Sequence, residues 1–314
     1  MIINTGSRTD IPAFFSSWFY NRIRDGFVMV RNPFDPRRVI RYRLDPSVVD
    51  AIVFCTKNPE PMLPRIAELD AFNTFWSVTV TSYGTEIEPY VPPAERAVEA
   101  LCALSEHVGF HSCGWRYDPV FISEKYSVDY HLKAFRRMAE SLKGSTGQCV
   151  VSFIDLYKKT TRNFPEVRPV SYGDQKTLVS QMAEIAGEND MVLYLCCEDP
   201  SLEGPGVDAG GCLSRGVLER ALGVTLDVPV LPRARKGCEC LLNADIGAYN
   251  TCGHGCRYCY ANYDRKLVAQ NMKRHDPESP FLIGNSMPGD IVSDAQQQSW
   301  VSPQLDMFAR MERV

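Results

Sequence analysis

Cys252, Cys256 and Cys259 stand in the run Cys252-Gly253-His254-Gly255-Cys256-Arg257-Tyr258-Cys259-Tyr260, a C-x3-C-x2-C spacing with an aromatic residue before the third cysteine. Three thiolates that close together can hold three irons of a [4Fe–4S] cube and leave the fourth iron without a protein ligand. An open iron can bind and reduce a small molecule, whereas a cube closed by four thiolates mainly transfers electrons. The plainer alternative is a zinc knuckle, with His254 or a more distant cysteine as fourth ligand. Gly253 and Gly255 would let the loop wrap closely around a cube, or would form an ordinary turn.

A second group comprises Cys196, Cys197, Cys212, Cys238 and Cys240. Thiolates from Cys197, Cys212, Cys238 and Cys240 could close an auxiliary [4Fe–4S] cube or a structural zinc site, or the group could be reduced thiols. Cys55, Cys102, Cys113 and Cys149 lie scattered in apolar segments, where cysteine behaves as a small buried hydrophobe. Arg233, Arg235 and Lys236 form a basic run that could meet a phosphate or could be a solvated loop.

These residues need a scaffold, and the chain has 314 residues to build one, enough for a large α/β barrel or two modest domains. Apolar content of 45%, charged content of 23% and a net charge of −4 are ordinary for a globular protein and favour neither nucleic acid nor anionic membrane. No apolar run approaches the roughly 18 residues of a membrane span. The start, residues 1–8, reads as a strand entering a loop rather than a signal peptide. With twelve cysteines, that points to a reducing cytoplasm, where clustered cysteines bind metal or do redox chemistry.

Residues 1–200 alternate strand and helix patterns. Strands are expected at 2–5, 51–55, 74–81, 110–116, 149–154 and 191–196, the last of them. Helices are expected at 11–24, 62–69, 93–108, 128–142 and 172–186, and 27–31 with 39–42 reads as an inserted hairpin. Repeated β-α units of this length predict a parallel barrel or a doubly wound sheet. Four regions follow: a core over 1–197, an irregular cysteine-containing insert over 198–243 with one short helix near 214–222, the cysteine loop and a helix over 244–275, and a loosely ordered or surface-packed tail over 276–314.

The cysteine run resembles the signature of the radical S-adenosylmethionine (radical SAM) superfamily. That resemblance implies a [4Fe–4S] cluster whose open iron chelates S-adenosylmethionine, and reductive cleavage of the sulfonium to a 5′-deoxyadenosyl radical. Other segments are similar to the spore photoproduct lyase branch. They are Asn4 to Pro12 for its second-strand loop, Phe54-Cys55-Thr56-Lys57 for its third-strand end, Ser77 to Thr81 with Ile87-Glu88-Pro89 for its fourth strand, and Arg116-Tyr117-Asp118-Pro119-Val120 for its fifth. The matches cover roughly residues 2–122 and 245–262, in a shifted order. In most members the cysteine loop follows the first strand; here it comes late. A circular permutation explains this, since barrel ends lie close together. The whole pattern resembles an uncharacterised family, domain of unknown function 1848, that keeps this arrangement.

The resemblance implies a partial or full TIM-type β/α barrel, permuted, with an irregular cysteine-rich extension and a site at the strand ends. Cys252, Cys256 and Cys259 would ligate the cluster, the backbone near Tyr258 would contact adenine, and Gly6-Ser7-Arg8 would face the methionine amino group. Thr79, Thr81 or Ser82 would approach methionine or ribose. Arg116 would pair with the cofactor carboxylate, unless it forms a salt bridge to Asp118 or Asp10. Asp10, Lys57 and Asp118 are candidate catalytic groups. Glu88 is a further rim candidate that could instead cap a helix, and Lys57 could bind a substrate carboxylate or phosphate. The function implied is hydrogen abstraction from an unidentified substrate, a lyase or oxidoreductase step fed by a donor such as flavodoxin or ferredoxin. A small molecule or another unidentified substrate is expected; the acidic charge leans against nucleic acid without excluding it, and no membrane partner is expected. The competing expectation is a non-catalytic binding protein stabilised by zinc or an iron–sulfur cluster.

Overall fold

Four apolar runs rich in Val, Ile and aromatic residues form strands buried on both faces, the pattern of a covered parallel sheet. The computed structural model describes residues 1–233, 237–242 and 244–303; Arg235 and Lys236 of the basic run lie outside them. Its strands are β1 (Ile2–Asn4), β2 (Phe27–Arg31), β3 (Arg38–Arg43), β4 (Ala51–Thr56), β5 (Thr74–Thr79), β6 (Cys113–Val120), β7 (Gln148–Phe153), β8 (Val192–Leu195), β9 (Val207–Asp208), β10 (Ala244–Asp245) and β11 (Ile291–Asp294). The helices are α1 (Ile11–Phe14), α2 (Ser16–Asp25), α3 (Ala94–Val108), α4 (Val128–Leu142), α5 (Lys158–Asn163), α6 (Tyr172–Glu188), α7 (Arg215–Leu222) and α8 (Arg265–Lys273), with a longer 3-10 segment at Glu60–Leu69.

Eight strands form one parallel sheet in the order β10-β1-β4-β5-β6-β7-β8-β9. The late strand β10 lies beside β1, with Ile3 opposite Ala244 and Asn4 opposite Asp245. β9 and β10 are the two edges, so the sheet is open. Side chains alternate between its faces. One face presents Ile3, Phe54, Trp76 and Trp115 to α2, α3, α4 and α6, with the Phe54 and Trp76 rings stacked 3.9 Å apart. The other presents Ile2, Val53, Phe75, Val150 and Tyr194, which pack against Cys212, Val217, Leu218, Cys238, Cys240 and Trp300. Among the described residues this second face is therefore covered by the 198–242 insert and one short helix rather than by a second helical layer.

Several expectations shift. The helix expected over 11–24 breaks at Phe15, because Asp10 caps a single turn begun by Ile11-Pro12 and a new helix starts at Ser16. The helix of 62–69 is a 3-10 segment kinked around Pro64. Residues 110–112 form a short turn, and β6 starts at Cys113. β8 is not the last strand, since β9 and β10 follow. Of the two readings of the tail, the surface-packed one holds over 276–303: β11 pairs in parallel with β3 of the β2–β3 hairpin, and the Trp300 amide donates to Asp50 at 2.8 Å.

His131 of α4 is fully buried beneath the sheet's C-terminal edge. Its Nε2 lies 2.9 Å from the Phe121 carbonyl and its Nδ1 2.8 Å from the Tyr117 hydroxyl, partners that suit the neutral ring. Burial depresses its pKa to about 4 from the ordinary 6.5. The neutral ring therefore contributes stability that is present above 6.5 and lost as pH falls towards 4. Urea denaturation should show roughly 3 kcal/mol lost from this group across that window, a loss largely absent from His131→Gln. Equal pH slopes in the two proteins would contradict this account.

Candidate functional site

Because every strand of the large sheet runs the same way, the loops after β1, β4, β5, β6, β7 and β10 gather on one edge. The cysteine loop follows β10 directly. Its neighbours are fixed by three buried carboxylates, each on a different element.

The first is Asp10, 5% exposed. Its Oδ1 accepts from Ala13 N (3.0 Å) and Thr56 Oγ1 (2.6 Å), and its Oδ2 from Lys57 N (2.8 Å), with His254 Nε2 also at 2.8 Å. This carboxylate ties the loop after β1 to the end of β4 and to the cysteine loop. Its oxygens are taken up by these four partners, which makes it a positioning residue for the rim. His254 is equally committed: Nδ1 lies 3.3 Å from the Tyr90 carbonyl, and the ring packs edge-on against Phe14 at 4.7 Å. With both ring nitrogens engaged in the protein, His254 is not disposed as a fourth metal ligand.

The second is Asp245 at the end of β10, which sequence reasoning missed although it directly precedes the loop. It accepts from Ser7 N (2.7 Å), Gly247 N (2.8 Å) and Asn4 Nδ2 (3.0 Å), and pairs with Arg8 Nε at 3.2 Å. Tyr260 Oη donates to the Ser7 carbonyl at 2.7 Å. The Gly6-Ser7-Arg8 turn thus lies against the cysteine loop. Gly6 passes so close to Cys55 that a Cβ would stand 2.3 Å from the Cys55 Cβ, which explains glycine there.

The third is Glu88, which receives Lys57 Nζ (3.0 Å), Thr81 Oγ1 (2.9 Å) and the Tyr258 hydroxyl. It is a hub under the cysteine loop rather than a helix cap. Burial alone would lower the pKa of Lys57, but Glu88 and the nearby Cys256 raise it above its ordinary value, so Lys57 is a held cation. Burial, with Glu88 and Cys256, pushes the Tyr258 hydroxyl well above its usual range.

Arg116 forms the alternative that the sequence left open. Its Nε and Nη2 make a bidentate pair with Asp118 (3.1 and 2.6 Å), and Nη1 points to Cys212 Sγ at 3.1 Å. Asp118 also accepts from Ser152 Oγ at 3.3 Å. Ser82 Oγ is bonded to the Tyr117 hydroxyl at 3.0 Å and Thr81 to Glu88, whereas Thr79 is half-buried opposite Arg116 in the strand register.

The segment around α5 reaches over from β7. Lys159 Nζ donates to the Tyr260 carbonyl (3.3 Å) and lies over the Tyr263 ring, and Arg257 pairs with Glu166 at 2.6 Å. These contacts had no signal in the sequence beyond charge. Behind them Tyr83, Phe121, Phe164 and Tyr258 form an aromatic cluster. A cleft of about 980 Å³ opens to one side, between α3 and α4, and touches the site through Thr81, Ser82, Tyr83 and Glu88. Its remaining walls are loop and helix residues that include none of Cys252, Cys256 and Cys259.

Cys252, Cys256 and Cys259 are half-buried on one loop. Burial raises all three thiols; Lys57 pulls Cys256 and Cys259 the other way, with Cys256 at about 12. Among the described residues no three or more His, Cys, Asp or Glu close on a single metal ion. The donor set nonetheless suits a cluster: three sulfurs, a withdrawn histidine and a fixed cation beside them. Gly253 and Gly255 serve the outer side of the loop. A Cβ at 253 would stand 2.7 Å from the Phe14 ring, and Gly255 has φ +71° against Tyr90.

The chain belongs to the family described as domain of unknown function (DUF1848), whose model matches residues 2–261. Both cysteine groups fall inside that span. No curated protein matches the chain. A crystal structure from Bacteroides thetaiotaomicron VPI-5482, carrying a provisional alpha-L-fucosidase assignment, is similar at 12% identity and a TM-score of 0.29. It shares 52% of this chain and 50% of its own, so the chain spans about half the length of that neighbour, and a likeness at this level carries no argument.

Asp10→Ala would strand the Thr56, Lys57 and Ala13 donors together. It should cost roughly 2–4 kcal/mol in urea denaturation and speed amide exchange through residues 252–259. A loss below about 0.5 kcal/mol with unchanged exchange would show that Asp10 does not fix the loop.

Proposed function

We propose that the chain is a radical SAM enzyme built on an open, permuted β/α barrel, with the reaction it performs on its substrate being hydrogen abstraction. The observation that carries the reading is the pairing of β10 with β1. It sets the last strand of the large sheet at the spatial start of the strand order, with C-x3-C-x2-C on the loop that follows. That is the order a radical SAM barrel would take after its first β-α unit moved to the C-terminal side. Cys252, Cys256 and Cys259 would hold a [4Fe–4S] cluster. Bound together, such a cluster and S-adenosylmethionine supply one-electron cleavage of the sulfonium and a 5′-deoxyadenosyl radical.

The chain's own residues bind and enclose. The Ser7 amide is already held by Asp245, so the Gly6-Ser7-Arg8 turn would meet the methionine amino group as a preset backbone surface. Thr79 is the rim hydroxyl best suited to reach the cofactor, since Thr81 and Ser82 have partners of their own. Arg116 and Asp118 would act as a unit, because a cofactor carboxylate would have to compete with a bidentate pair. Lys57 places a fixed positive charge by Cys256, which favours an anionic cluster at that position. The α5 segment and the Tyr83–Tyr258 aromatic cluster limit water access, which protects a reactive intermediate. A zinc knuckle in the cysteine loop with His254 as its fourth ligand is disfavoured, because the ring nitrogens face Asp10 and Tyr90.

Protein reconstituted anaerobically with iron and sulfide, reduced with dithionite and given S-adenosylmethionine should release 5′-deoxyadenosine. Cys256→Ala should reduce the yield at least about 100-fold, since two thiolates cannot hold the cube. A colourless protein with stoichiometric zinc on Cys256, or a Cys256→Ala variant with undiminished product, would overturn the reading.

A further inference from the structure

We infer that Cys196, Cys212, Cys238 and Cys240 form a second metal site, which takes a single zinc ion as a structural staple. This does not rest on the proposed function. The four residues come from three chain segments, the end of β8, the turn before α7 and the stretch before β10, and each is less than a tenth exposed. Cys212 Sγ lies 3.3 Å from Cys240 Sγ and 3.6 Å from Cys196 Sγ, and the Cys238 thiol meets that of Cys240.

Those spacings select the metal. Zn–S bonds of about 2.3 Å in a tetrahedron put neighbouring sulfurs about 3.8 Å apart, a small adjustment from the observed contacts. An iron–sulfur cube would force its ligating sulfurs well beyond contact, because two irons intervene between any pair. Among the described residues the sulfurs do not close on one point. Residues 237–242 carry no helix or strand, so the Cys238 and Cys240 side chains can turn to complete the tetrahedron.

Two further features support a ligand set over four core thiols. Gly211 has φ +99°, and a Cβ there would stand 3.1 Å from the Glu239 Cβ, so glycine lets the 238–240 segment lie against the Cys212 turn. Arg116 Nη1, 3.1 Å from Cys212 Sγ, puts a permanent cation beside sulfur. Four thiolates around Zn²⁺ leave net negative charge, and a guanidinium donor offsets it, as outer-shell groups do at metal sites. The site pins an insert with little regular structure onto the open face of the sheet, where metal binding can contribute folding energy directly. Cys196 takes the place of Cys197 in the set expected from sequence because its Sγ meets Cys212 Sγ at 3.6 Å; the Cys197 side chain lies at the edge of the group, against those of Cys196 and Cys238.

The test uses the full chain carrying Cys252→Ala, Cys256→Ala and Cys259→Ala, which removes the first site, so this result stands whatever becomes of the radical SAM reading. Purified in reducing buffer, it should be colourless and hold close to one zinc per chain by elemental analysis. Adding Cys240→Ser should drop zinc below a tenth, and adding Cys197→Ser should leave it. Zinc below a tenth in the triple variant, iron with a visible absorption band in its place, or zinc indifferent to Cys240→Ser would each overturn the inference. Should Cys240→Ser not fold, zinc-edge X-ray absorption on the triple variant decides: four sulfurs at about 2.3 Å support the site, and nitrogen or oxygen ligands overturn it.

Discussion

The pairing of β10 with β1 rests on two registered positions, Ile3 opposite Ala244 and Asn4 opposite Asp245, and the arrangement of the site depends on it. Two ladder positions are little for a strand that must aim the cysteine loop. The deficit is met by Asp245, whose carboxylate gathers the Ser7 and Gly247 amides, the Asn4 side chain and Arg8. Parallel direction then does the rest, since it places the end of β10 among the ends of β1, β4, β5 and β6.

The same solution recurs along the rim. Asp10, Asp245 and Glu88 are each 5% exposed or less, and a buried carboxylate is costly unless its oxygens are satisfied. Each meets the condition by collecting donors from separate loops. The polar network is thus the rim's scaffold, and most charged residues that suggest catalysis are committed to it. Arg116 extends the network downwards, from Asp118 at the rim to Cys212 on the covered face.

The regular elements were largely legible. The apolar runs that became β4, β5 and β7, and the periodic stretches that became α3, α4 and α6, carry their own signals. β9 and β10 were not, because a two-residue strand has no periodicity to read. β11 was hidden likewise, since its exposed side chains look like a surface tail and its partner β3 lies far back in the sequence, with Ile291 opposite Arg38. In the site, the cysteine spacing and the neighbourhood of Lys57, Glu88 and Tyr258 could be anticipated from strand ends. Which charges pair could not. Asp10 to His254 and Arg116 to Asp118 are decided by side-chain packing across distant loops, and residue type alone leaves them equivalent to catalytic groups.

The central claim is the proposal that Cys252, Cys256 and Cys259 would hold a [4Fe–4S] cluster with one iron left free of protein ligands. Electron paramagnetic resonance of the reconstituted, dithionite-reduced protein tests it most directly, before and after addition of S-adenosylmethionine. The account predicts a reduced [4Fe–4S] signal whose g values shift when the cofactor chelates the open iron. A signal that S-adenosylmethionine leaves unchanged, or no cluster signal at all, would contradict it.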